Sequence, residues 1–155
     1  MKILKYAVGV LVLLGVVLVF ITPLGPLPGF FIGGRDTPIP AQWPDTSDVH
    51  EIRLGVSATL PRVVIIWVVE YEQDLYVVGS AGSGWVEALG EGGPAQLRIG
   101  DNTYAVNARR ETEKFTVVRD AWLDKYRPDY PDIVAGFPTG TDAQRIARVF
   151  LLDRS

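Results

Sequence analysis

Residues 62–85 read RVVIIWVVEYEQDLYVVGSAGSGW, and the fold follows from how this stretch is parsed. Its first ten residues form a nearly unbroken, β-branched apolar run. That is too short for a membrane span and fits a strand covered on both faces. Glu72, Gln73 and Asp74 make a polar hairpin tip, and Leu75 to Gly79 returns as the partner strand. Ser80, Ala81, Gly82, Ser83 and Gly84 follow, small enough for backbone amides to approach an anion closely. Trp85 comes next. The expectation is a buried hairpin presenting a loop suited to a ligand.

Working outward, residues 50–57, HEIRLGVS, alternate Ile52, Leu54 and Val56 with Glu51, Arg53 and Gly55, the pattern of a strand with one buried face. Past the loop, Trp85 to Leu89 is a short helix closed by Gly90 and by Gly92-Gly93-Pro94. Ala95, Leu97 and Ile99 then alternate, Gly100-Asp101-Asn102 signals a turn, and Tyr104, Val106 and Ala108 alternate in return. Arg109-Arg110-Glu111 continue this second hairpin into solvent. Residues 115–127 place Val118, Ala121, Trp122, Lys125 and Tyr126 at helical spacing, and Pro128 stops the helix. Residues 127–140 read as a loop and residues 141–153 as a last strand, with Ile146, Arg148, Phe150 and Leu152 alternating. The fold class is mainly β (α+β): an antiparallel sheet curled into a barrel, with one or two helices covering an open side.

The amino-terminal third has a different composition. Residues 6–21, YAVGVLVLLGVVLVFI, carry no charge, and Thr22, Pro23 and Leu24 extend them towards the ~20 residues of a bilayer-spanning helix. Lys2 and Lys5 precede this run and the next basic residue is Arg35, so the positive-inside bias gives a cytoplasmic amino terminus and an extracytoplasmic domain. The expectation is a single-pass membrane protein anchored in the lipid bilayer through residues 1–22. A secretory signal peptide is the alternative, disfavoured by the length of the run and the lack of an Ala-x-Ala-like cleavage site. A buried core helix is a second, weakened by the absence of a polar face. Residues 23–45 form a Pro/Gly-rich linker whose Phe30, Phe31, Ile32 and Trp43 rest either in the bilayer interface or on the domain. Residues 46–155 are the domain proper, of a size normal for one core.

Composition narrows the chemistry. The chain has no cysteine, which removes disulfides, thiolate metal sites and cysteine nucleophiles. With a single histidine, His50, no common zinc site can be assembled, and His50 reads as a surface or strand-edge residue. Beyond the first five residues 13 basic side chains face 18 acidic ones, which argues against nucleic acid as a partner. Ser80 and Ser83 have no base near them in sequence, so a hydrolase reading is weak. The Arg109-Arg110 pair reads as a solvated strand before it reads as a phosphate site.

The succession of VVIIWVVE, LYVVGS, a Gly/Ser loop, Trp85 with Ala88-Leu89, and AQLRIGDNTYAVNARR resembles the split β-barrel of pyridoxamine-phosphate-oxidase-like proteins, and within them the deazaflavin-dependent nitroreductase branch. The resemblance covers residues 51–113 and, more loosely, the terminal helix and strand. It implies a flavin or deazaflavin, FMN being the simplest form, bound in a groove between the barrel and a partner, often a second subunit, so that a homodimer is implied. Ser80, Gly82 and Ser83 match the loop where that branch commonly has a lysine followed by glycines. Here Ala81 stands in place of the charge, leaving Arg62 or Arg98 as the donors of positive charge. Trp85 matches an aromatic that follows the loop, and Trp67 lies on the central strand. Each is a candidate to flank the cofactor ring and equally a candidate for core packing. The expectation is thus a membrane-anchored, flavin- or deazaflavin-dependent oxidoreductase. The alternative is a non-catalytic envelope protein using the old groove for a small-molecule ligand or a partner.

Overall fold

A computed structural model of the chain describes residues 2–20, 23, 27–57 and 61–154. The first element, α1 (Lys2–Phe20), is followed by β1 (Arg35–Asp36), β2 (Glu51–Val56), β3 (Arg62–Tyr71) and β4 (Asp74–Ser80). A short α2 (Gly84–Leu89) leads to β5 (Gly92–Ile99) and β6 (Asn102–Glu111), then to α3 (Phe115–Tyr126) and α4 (Pro131–Ala135). A 3-10 turn (Gly140–Asp142) runs into α5 (Ala143–Ile146) and the last strand, β7 (Ala147–Asp153).

The strands pair in the order β1-β6-β5-β2-β3-β4-β7, and a further β6–β7 pairing joins the ends. Six antiparallel strands therefore close into a barrel, with β1 added in parallel to the start of β6. The expected open side does not exist. β6 is long enough to pair with β5 along most of its length and to offer its other edge, from Asn107 to Glu111, to β7. Closure removes the exposed edges that an open sheet would leave. Arg109 and Arg110 lie on the solvated strand expected, Arg109 exposed and paired with Asp153 at 3.6 Å, and that strand is also part of the closing ladder.

The β3–β4 hairpin turns where the sequence placed it. Glu72 and Gln73 both adopt positive φ, at 51° and 68°, between the Tyr71–Asp74 pair. A two-residue loop with both φ positive matches the right-handed twist of the strands, and it sets the register. Inside the barrel, Ile52, Leu54, Val56, Val68, Leu75, Val77, Leu97, Val106, Phe150 and Leu152 are buried together. A second apolar cluster lies outside the wall, where α3 packs Val118, Trp122 and Tyr126 against Val69, Tyr76, Val149 and Leu151. The two clusters explain the near-continuous apolar runs of β4 and β7, which are buried on both faces. β3 is buried on both faces only near Val68 and Val69; from Val64 to Trp67 it is half-buried, because α3 covers only its far end.

Two late elements differ from expectation. The chain between α3 and β7 contains α4 and α5 where a loop and an earlier strand start were expected, and Ile146 ends a helix with half its surface exposed. Alternation across Ile146 and Arg148 was fortuitous: Ile146 is the last residue of α5 and Arg148 lies in β7.

The amino-terminal expectation is overturned. No helix among the described residues is long and apolar enough to cross a membrane. α1 includes Lys2 and Lys5, and its uncharged part, residues 6–20, rises roughly 22 Å at 1.5 Å per residue, short of the ~30 Å hydrocarbon core. The single-pass anchor therefore falls, and with it the cytoplasmic amino terminus and the extracytoplasmic domain argued from it. Met1, Ile21 and Thr22 lie outside the described residues. The Pro/Gly-rich stretch chooses the protein surface: Gly29 bridges Val63 through both backbone bonds at 2.8 Å, Ile32 is buried, and Trp43 meets Tyr104 edge-on at 5.3 Å. Phe30 and Phe31 stay exposed.

Candidate functional site

The Gly/Ser loop begins where β4 ends. Gly79 and Ser80 pair with Arg148 and Ala147 of β7, and the Ala81 amide donates to the Ile146 carbonyl at 2.7 Å. The chain then turns on itself: the Ser83 amide and the Ser83 hydroxyl both donate to the Ser80 carbonyl, at 3.0 and 2.8 Å. Ser83 caps α2 by position, yet its side chain makes no bond to the helix amides. The Ser83 hydroxyl and the Ala81 and Ser83 amides are thus engaged within the protein. Ser80 and Gly82 are exposed, and nothing lies where a Gly82 Cβ would stand.

Arg62 is the charged residue at this loop. It opens β3 opposite Val56, and its guanidinium lies against Gly84 so closely that a Cβ there would collide with it. Among the described residues its side chain makes no ion pair or hydrogen bond, which leaves an uncompensated positive charge beside the loop. The same side chain lines a hollow of about 130 Å³ with Pro28, Gly29, Phe30 and Pro61. Arg98 is committed elsewhere: its Nε donates to the Gly100 carbonyl at 2.8 Å and its Nη1 to the Ile32 carbonyl at 3.0 Å.

The two tryptophans are separated by the barrel wall. Trp85 is buried within the barrel, 5.6 Å from the Phe150 ring, and its indole occupies the space a Gly79 side chain would need. Trp67 faces outward and stacks on Tyr126 at 4.3 Å with 15° between planes, flanked by Tyr130 at 4.6 Å and Trp122 at 5.3 Å. The structure therefore brings Arg62, Ser80, Gly82 and Ser83 to one end of the barrel and does not bring Trp67 there.

The aromatic shelf around Trp67 is tied down by polar groups. β2 stops pairing with β3 at the Glu51–Trp67 couple, and the backbone of the next residue, Val68, is taken up by α3. The Val68 amide donates to the Tyr126 hydroxyl at 3.0 Å, and that hydroxyl reaches the His50 and Val68 carbonyls at 2.6 and 2.8 Å. Lys125 donates to the carbonyls of Thr46, Val49 and Val68 at 2.8 to 2.9 Å. Burial pushes the Tyr126 phenol well above its ordinary pKa, and burial lowers that of Lys125, an effect opposed by Glu70, Asp45 and Asp48. His50 sits at the rim, 3.4 Å from Asp129 and edge-on to Tyr126.

Arg53 had no functional reading in the sequence. Its alternation with Ile52 and Leu54 places it on the outer face, as observed, but its neighbour across the strand pair is a matter of register. That neighbour is Arg98.

No protein-family model matches the chain, and no curated protein sequence matches it. Solved structures do. A putative 5-nitroimidazole antibiotic resistance protein from Bacteroides thetaiotaomicron aligns at a TM-score of 0.51 and 13% identity, over 68% of this chain and 73% of that one. An FAD and heme binding protein from Mycobacterium smegmatis aligns at a TM-score of 0.50 and 16% identity, over 70% of this chain and 62% of that one. A NimC/NimA family protein from Clostridium acetobutylicum aligns at 0.49 and 14% identity, over 66% and 73%. At such identities the likeness speaks for architecture. The fold is the antiparallel β-barrel of these neighbours, the architecture expected from the sequence.

Proposed function

We propose that the chain binds a flavin-type cofactor, FMN or a deazaflavin, by its phosphate at the Arg62 end of the barrel, and serves as a nitroreductase-like oxidoreductase. The observation that carries this reading is the Arg62 guanidinium, uncompensated among the described residues and lying against Gly84 at the end of the Gly/Ser loop. It supplies the charge that Ala81 does not, and a guanidinium binds phosphate through paired, charge-assisted hydrogen bonds. The exposed Ser80 hydroxyl and the open space at Gly82 suit the same phosphate. A bound flavin supplies the redox chemistry itself, while the chain supplies position and field. Two structural neighbours, a putative 5-nitroimidazole resistance protein and an FAD and heme binding protein, support the class.

The ring end of such a cofactor has less to hold it. Trp85 is sealed inside the barrel and Trp67 is committed to the aromatic shelf. A second copy of the chain would have to complete the groove. These same facts favour one other reading, a split barrel that binds a small ligand or partner without catalysis.

Absorbance and thermal unfolding separate the two. FMN or a deazaflavin in excess should raise the melting temperature, since a ligand of the native state must stabilise it, and Arg62→Gln should weaken binding about tenfold or more. No retained chromophore and no stabilisation by either compound would sink the oxidoreductase and leave the non-catalytic reading.

A further inference from the structure

A second cationic feature lies on the outer face of the barrel, on strands other than those that carry the Gly/Ser loop. Across the β5–β2–β3 ladder, Arg98, Arg53 and Ile65 stand side by side in register. Together with Glu51, Ile52 and Gly100 they line a depression of about 260 Å³. Like charges directly opposite one another on adjacent strands are destabilising, so such a couple is expected to be neutralised. Here the neutralisation is slight. Among the described residues no carboxylate pairs with Arg53, and the acid nearest Arg98 is Asp101, 3.8 Å away and 97% exposed. Glu51 is exposed at the edge of the depression.

Both guanidiniums converge on one acceptor, the Ile32 carbonyl, Arg53 from 3.3 Å and Arg98 from 3.0 Å. A guanidinium carries five N–H donors, and these bonds, with the one from Arg98 to the Gly100 carbonyl, engage a minority of them. Both side chains line the depression. Residues 32–34 are folded onto this spot, with Gly33 and Gly34 at positive φ, where a Cβ would meet the Arg98 guanidinium at Gly33 and the Thr103 hydroxyl at Gly34. The segment thus fixes both guanidiniums in place and covers only one side of them. Burial, and after it the charge of Arg98, lower the Arg53 pKa.

We infer that the Arg53–Arg98 pair is an oxyanion site, taking the phosphate or carboxylate group of a small molecule whose apolar part rests on Ile65. The pairing of two fixed guanidiniums suits a planar or tetrahedral oxyanion better than a single flexible cation would. The inference does not depend on the cofactor proposed above, because Arg62 belongs to the other site.

Its test is an anion titration of the full chain at constant ionic strength. Inorganic phosphate and acetate, each exchanged against chloride, are followed by thermal unfolding and by amide chemical shifts. A saturable response to at least one of them is expected, with shifts concentrated at Ile32, Ile65 and Gly100; phosphate alone or acetate alone identifies the group. Arg53→Gln and Arg98→Gln should each weaken that response about tenfold or more, as expected for lost charge-assisted bonds. Arg127→Gln, which removes an exposed charge paired to Asp124, should leave it intact. An equal response in all variants, shifts scattered over the surface, or no saturable response in the native chain would overturn the site. The chemical-shift arm uses the native sequence and holds even if an arginine variant fails to fold.

Discussion

The inside of the barrel and the shelf on its outer wall are both built from large apolar side chains, yet they are held by different physics. Inside, Phe150, Trp85, Leu54 and Leu152 interlock, and little but shape and exclusion of water is required of them. Outside, Trp67, Trp122, Tyr126 and Tyr130 are stacked, but the stack is pinned by Tyr126 and Lys125 bonding to backbone carbonyls that no strand reaches. The lesson is that a closed barrel completes its own interior. A helix laid on its outer wall depends on polar anchors where the ladder stops.

The contrast can be tested by its consequences. Phe150→Ala should cost about 3 to 5 kcal/mol in denaturant unfolding, since it empties a fully buried site between β4 and β6 that the closed barrel cannot collapse around. A loss below ~1 kcal/mol would show an interior far more pliable than claimed. Gly79→Ala is the converse, overpacking: the added methyl meets the Trp85 ring, and about 1 to 3 kcal/mol should be lost, with a change in Trp85 fluorescence as the indole moves. Shortening the ring with Trp85→Leu in the same chain should reduce the penalty of the Gly79→Ala step.

Tyr126→Phe probes the shelf and should have the smallest effect, about 1 kcal/mol at neutral pH, the loss of one buried hydroxyl's bonds. Its signature is the pH dependence. The native state keeps the phenol neutral to higher pH than the unfolded chain does, so above about pH 10 the native state holds the extra proton and stability falls as pH rises. Replacing the phenol removes this contribution, and the variant's alkaline loss of stability should be shallower than that of the native chain. An unchanged alkaline slope would mean that the Tyr126 hydroxyl is not buried as described.

Periodicity and turn chemistry in the sequence were enough to place β2 to β6, the β3–β4 hairpin tip, α2 and α3, because each is decided by residues within about ten positions. Ile52, Leu54, Val56, Tyr104, Val106 and Ala108 announced their buried face by simple alternation. Of the two arginines the sequence offered beside the Gly/Ser loop, Arg62 is the one that lies against it, since it opens the strand whose hairpin ends there. For the two tryptophans the sequence left ring contact and core packing open, and both pack in apolar clusters, while Arg98 lies away from the loop; adjacency in the chain says nothing about which side of a barrel wall a residue takes. The apolar run of residues 6–21 was lengthened on paper by Thr22, Pro23 and Leu24, whereas α1 is described from Lys2 to Phe20 and carries two lysines within it.

What the amino acids decided unaided was local: which stretches are strands, which face of each is apolar, where a two-residue turn is tolerated, and that cysteine chemistry is absent. What awaited the tertiary structure was everything set by register and closure. The β6–β7 ladder shut the barrel, the β2–β5 ladder set Arg53 beside Arg98, and the end of β2 left Val68 to be claimed by α3. Such pairings join residues tens of positions apart, and their energies depend on contacts that exist only once the chain has closed on itself.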